Sequence, residues 1–93
     1  MPEVRFLGEI RKAAGMATFG VDAGTVEELL EQLRRLTGPA FEEFLFDGER
    51  LQQDVEVLVN GRNISLLVGH KTVLAPFDQV TLITNGVRGF PGG

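Results

Sequence analysis

Val55-Glu56-Val57-Leu58-Val59-Asn60-Gly61-Arg62-Asn63-Ile64 decides the fold. Val55, Val57 and Val59 alternate with Glu56 and Leu58, the period-2 pattern of a strand with one buried face. Asn60-Gly61 follows at once, and Asn-Gly between apolar runs is the strongest short-range hairpin signal. A returning strand is expected over residues 62–67. Beyond it, Lys71-Thr72-Val73-Leu74 reads as another short extended piece, and Pro76-Phe77-Asp78 as a turn. Residues 79–84 form the last expected strand, with Val80 and Leu82 facing inward.

Upstream, Thr25-Val26-Glu27-Glu28 matches a capping box, in which Thr25 caps a helix and Glu28 reaches back to it. Val26, Leu29, Leu30, Leu33 and Leu36 then recur at helical spacing, while Glu27, Glu31 and Arg34 take the other side. Gly38-Pro39 ends that helix. Residues 40–46 suit a short helical turn, and Asp47-Gly48 a tight turn. At the start, residues 3–7 alternate as a strand with Val4 and Phe6 inward. Residues 8–15 are turn-like or helical, and residues 16–21 suit a second strand. The two early strands make an antiparallel hairpin. The main helix has to cover one face of a mixed sheet to bury its leucines, so the class is α+β.

With 93 residues the chain has room for one domain. Residues 1–84 are read as that domain. Residues 85–93, Asn-Gly-Val-Arg-Gly-Phe-Pro-Gly-Gly, are expected to be a mobile tail, because their glycines and proline do not sustain regular structure. Hydrophobic residues make up 43% and charged residues 24%, the balance of a globular domain. The net charge of −4, with the basic residues scattered, argues against direct nucleic-acid binding. It favours a partner with a basic docking surface. Without cysteine there is no disulfide, thiolate metal site or cysteine nucleophile, and one histidine makes no multi-histidine metal site. No apolar run is long enough for a membrane span, and no signal peptide is visible, so a cytoplasmic location is expected.

The chemistry points to Gly92-Gly93. A terminal carboxylate is inert until it is activated, commonly as an acyl-adenylate. Reaching the site that activates it means threading a narrow channel, which two residues without Cβ allow. Phe90, followed by Pro91, is a large apolar residue in a glycine-rich stretch and is read as an anchor in a partner's groove. By alternation Leu7, Leu58 and Ile83 point away from the face that carries Val4, Val57 and Val80. They form a candidate docking patch on the open side of the sheet. His70 reads as a solvated loop residue, and Glu27, Glu28, Glu31, Glu42 and Glu43 as a solvated acidic face. No nucleophile is paired with an oriented base, so the chain is not read as catalytic alone.

These residues carry a resemblance. Val4-Arg5-Phe6-Leu7-Gly8-Glu9-Ile10-Arg11-Lys12-Ala13-Ala14-Gly15 is similar to the first strand and Arg-x-x-Ala-Gly turn of the MoaD/ThiS ubiquitin-like sulfur carriers. Gly24-Thr25-Val26-Glu27-Glu28-Leu29-Leu30 is similar to that family's helix start, and Val57 to Ile64 to its Val-Asn-Gly-x-x-Ile hairpin. Phe77-Asp78-Gln79-Val80 and the closing Gly92-Gly93 complete the match. The chain most resembles the MoaD-like branch, which includes the small archaeal modifier proteins. The resemblance implies a β-grasp fold of four to five strands on one main helix. It implies an ATP-dependent activating enzyme that adenylates Gly93 and a sulfur donor that converts the adenylate to a thiocarboxylate. ATP is used by that enzyme, and the carrier itself binds no cofactor or metal. The implied acceptor is a pterin precursor of the molybdenum or tungsten cofactor, held by the large subunit of molybdopterin synthase. In other members it is a tRNA base or a metabolite, and in the modifier branch the glycine is joined to lysines of target proteins. The stretch Thr84 to Pro91 departs from the family's double proline before the final glycines. Activation needs only those glycines; the fit to an acceptor depends on the rest.

Overall fold

The computed structural model describes Met1–Thr84; the expected tail, residues 85–93, lies outside the described residues. The chain runs β1 (Glu3–Phe6), α1 (Gly8–Ala14), β2 (Thr18–Gly20), α2 (Val26–Leu36) and α3 (Pro39–Leu45). It continues with β3 (Phe46–Asp47), β4 (Arg50–Leu51), β5 (Val55–Val59), β6 (Arg62–Asn63) and β7 (Gln79–Thr84). Five strands form one sheet in the order β2-β1-β7-β5-β6, and β3 pairs with β4 alone. The central β1–β7 pair is parallel and every other pair antiparallel. This is a β-grasp.

The pattern in 55–59 is realised as read: Val55, Val57 and Val59 are buried, Glu56 and Leu58 half-exposed. Asn60 (φ 51°) and Gly61 (φ 84°) both take the positive φ of a type I′ turn, whose twist matches the strands it joins. The return strand, expected through Leu67, stops at Asn63. Its side-chain oxygen accepts from the Ser65 amide at 2.9 Å and opens a 3₁₀ turn over Ile64–Leu66. Local side-chain capping of this kind competes with the ladder. A second 3₁₀ turn covers Gly69–Lys71. The extended piece expected at 71–74 is reduced to a single bridge, Val73 opposite Thr25, which ties the loop to the start of α2.

Thr25 caps α2 as expected, accepting from the Glu28 amide at 3.2 Å. The Glu28 carboxylate, however, takes the amide of Gly24, one residue before the cap, at 2.8 Å. Val26, Leu29, Leu30 and Leu33 are buried, but Leu36 is 61% exposed. The helix ends there. Thr37 turns extended, and its amide closes back on the Leu33 carbonyl, so the chain leaves the core before Leu36 can enter it. Pro39 then opens α3, a position where its missing N–H costs nothing. Residues 8–15 resolve as helix α1, ended by Gly15 at φ 73°. The second strand is confined to Thr18–Gly20, and Met16 is exposed. Phe6, Ile10, Leu29, Leu33, Leu45, Val80 and Leu82 are almost wholly buried in one core. No helix among the described residues is long and apolar enough to cross a membrane.

Candidate functional site

With α2 on one face, the other face of the sheet is left open by the described residues. Register places Arg5 beside Thr81, Thr81 beside Leu58, and Leu58 beside Asn63, one row across the strands. In the next row Ile83 stands beside Glu56. Phe6 pairs with Leu82, and the Leu7 amide donates to the Leu82 carbonyl at 3.1 Å, so Leu7 extends the parallel ladder alongside Ile83. Leu7, Leu58 and Ile83 are each half-exposed. Leu58 and Ile83 are diagonal cross-strand neighbours, about 7 Å apart, close enough for side chains to touch. Arg5 and Glu56 flank this apolar cluster with opposite charges.

Leu7 and Ile83 lie toward the end of the sheet where β7 finishes, and Leu58 lies further back beside Thr81. Thr84 is buried and pairs with Val55, so the strand is held to its last described residue. The chain continues from there toward Phe90, Pro91, Gly92 and Gly93, all outside the described residues. The other end of β7 is fixed separately. The Asn60 carboxamide donates to Asp78 at 2.9 Å and accepts from the Gln79 amide at 3.0 Å. The Ala75 amide donates to the second Asp78 oxygen at 2.7 Å. These two hydrogen bonds, Ala75 first, hold the Asp78 carboxyl below its ordinary range; slight burial opposes them. Asp78 belongs to a structural corner at the start of β7, at the opposite end of that strand from Ile83.

The remaining candidates are surface groups. His70 is exposed at the rim of a cleft of about 410 Å³ that mixes Glu27, Glu31 and Glu49 with Arg34 and Arg35. Arg34 lies over the Phe46 ring at 4.1 Å and pairs with Glu42 at 3.8 Å. Glu27, Glu28, Glu31 and Glu43 are exposed. Among the described residues no group of His, Asp or Glu is arranged to hold a metal. Sequence reading missed a second feature. Met16, Phe19, Leu36, Ala40 and Phe41 line an apolar cleft of about 340 Å³ between the ends of α1 and α2 and the start of α3. A leucine predicted for the core but found at the surface is its only trace in the sequence.

The model of the ThiS family matches residues 4–85. The chain belongs to this family. It is thus a ubiquitin-like member of the MoaD/ThiS sulfur-carrier group, in agreement with the resemblance in its sequence. Among solved structures, it is similar to small archaeal modifier protein 1 from Methanosarcina acetivorans. That likeness has a TM-score of 0.83 and 25% identity, over 96% of this chain and 95% of that one. The protein of the same name from Haloferax volcanii gives 0.78 and 27%, over 96% and 98%. The Amycolatopsis orientalis BexX/CysO complex contains a chain of the same fold, with a TM-score of 0.79 at 18% identity, over 96% and 100%. No curated protein matches the sequence.

Proposed function

We propose that this member of the family is a sulfur carrier worked through the carboxyl of Gly93, once that residue is the free end of the chain. An activating enzyme joins the Gly93 carboxylate to the α-phosphate of ATP, releasing pyrophosphate. Hydrosulfide from a sulfur donor attacks the acyl carbon, AMP leaves with the C–O bonding pair, a proton is lost, and a thiocarboxylate remains. Its sulfur displaces a leaving group from an electrophilic carbon of the acceptor, and hydrolysis of the resulting thioester leaves the sulfur there and restores the Gly93 carboxylate. The observation that carries this reading is the placement of β7. It is central, parallel to β1, and paired out to Thr84. It is therefore held rigidly to Thr84, with the half-exposed Ile83 and Leu7 at that end and Leu58 further back on the same face, a surface on which an enzyme can dock.

The outlet that the sequence resemblance implies is a molybdopterin synthase, with this chain as its small subunit. A second outlet, conjugation to lysines of other proteins, is supported by the likeness to two small archaeal modifier proteins along nearly their full length. There a lysine amine attacks the activated carbonyl, expels the leaving group and loses a proton to give an amide. Both outlets use the same activated glycine, and both take place in the cytoplasm. ATP–pyrophosphate exchange with the activating enzyme of the source organism tests the shared step. Exchange that depends on the full chain and stops when Gly93 is deleted supports it. Exchange that is equal with and without Gly93 overturns it.

A further inference from the structure

The apolar cleft at the helix ends has a use that neither the Gly93 chemistry nor the open sheet face provides. Its floor is Phe41 packed edge-on to Phe6, ring centres 5.5 Å apart and 83° between planes. Its walls are Met16, Phe19, Leu36 and Ala40. Leu36 is 61% and Met16 44% exposed, so large apolar surface surrounds a hollow that the side chains of the described residues leave unfilled. At about 340 Å³ the hollow is near the lower end of ligand-sized pockets. No charged side chain lines it. Arg11 and Lys12 are exposed in the last turn of α1 and line a depression that adjoins the cleft at Met16, with no acidic side chain in that lining. On a chain of net charge −4 these two cations beside Met16 are a local excess of positive charge.

Position adds a reason. The α1 wall springs from Leu7, whose amide is bonded to the Leu82 carbonyl, so the cleft shares a pole with the end of β7. An enzyme that grips the residues after Thr84 lies over that pole. We infer that this cleft receives an apolar side chain from an acidic segment of the activating enzyme, an anchor separate from the open sheet face. The anchor rests on the reading of Gly93 as the activated group. An apolar plug flanked by carboxylates fills the hollow, covers Leu36 and Met16, and pairs with Arg11 and Lys12.

The test uses the full chain and the purified activating enzyme of the source organism, with KM for the chain and kcat read from ATP–pyrophosphate exchange. Leu36→Glu and Lys12→Glu are surface changes, and their melting temperatures verify folding. Each is expected to raise KM by about 10-fold or more with kcat within about two-fold, because a remote anchor contributes to docking and not to the acyl transfer. Raised salt should narrow the gap between Lys12→Glu and the parent chain. Unchanged KM in both variants overturns the inference while leaving the Gly93 chemistry intact. Self-association of the chain that Leu36→Glu abolishes would assign the cleft to a second copy and also overturn it. Exchange unaffected by deletion of Gly93 would instead bring down the function on which the anchor rests.

Discussion

Asn60 and Asp78, eighteen residues apart in sequence, hold the β5–β6 turn against the start of β7 through a side-chain hydrogen bond of 2.9 Å. Asn60 is in the left-handed region, and its amide also donates to the Gln79 carbonyl at 2.8 Å. One residue thus closes a type I′ turn and fixes the neighbouring strand. Because Asp78 is held ionised by its donors, its folded pKa lies below the ordinary value of 3.8. A depressed carboxylate adds stability above its unfolded pKa and loses it as pH falls through the folded one. Asp78→Ala should therefore destabilise the protein by about 1 kcal/mol at neutral pH. The difference from the parent chain should shrink below about pH 4, as measured by urea unfolding across pH. A difference independent of pH would assign the loss to packing alone.

Leu33 and Leu36 lie on one helical stripe yet differ in burial, 0% against 61%. Leu33→Ala should cost about 3 kcal/mol by opening a cavity under the sheet, whereas Leu36→Ala should stay within about 0.5 kcal/mol. Chemical denaturation of the pair measures both. Equal losses would place Leu36 in the core after all.

This contrast shows where sequence reading stops. The period of residues 26–36 reports a helical face, but not where the covering layer ends. The core choices at Val4, Phe6, Val57, Val80 and Leu82, the Thr25 cap and the Asn60-Gly61 turn rest on local patterns, and each is observed. The short return strand depends on whether the Asn63 side chain bonds the Ser65 amide, a choice alternation does not reveal. The cleft exists only because α1 packs against α3, a contact between segments distant in sequence. Of the proposed site, Leu7, Leu58 and Ile83 stand where alternation put them, while Gly92 and Gly93 rest on their chemistry.

Gly61 carries φ 84°, which an L side chain adopts only with strain, although open space surrounds its missing Cβ. Gly61→Ala should cost about 1–2 kcal/mol, entirely through the backbone. Thermal melts of Gly61→Ala and Gly61→Asn separate the causes. Asparagine tolerates this region and should recover part of the loss.

On the open face, Leu58→Glu and Ile83→Glu replace half-exposed residues beside Arg5 and Glu56. Both variants should remain folded by circular dichroism and lose affinity for the activating enzyme by roughly 10-fold in titration calorimetry. Parent-like affinity in both would remove this face from the docking surface.

The central claim is that Gly93 is the reacting group. Intact-protein mass spectrometry after incubation with the activating enzyme, ATP and a sulfur donor reads it directly. The account predicts a gain equal to one sulfur in place of one oxygen, located by fragmentation at Gly93 and absent from the chain lacking that residue. An unchanged mass, under conditions in which the same enzyme charges a known carrier, would contradict it.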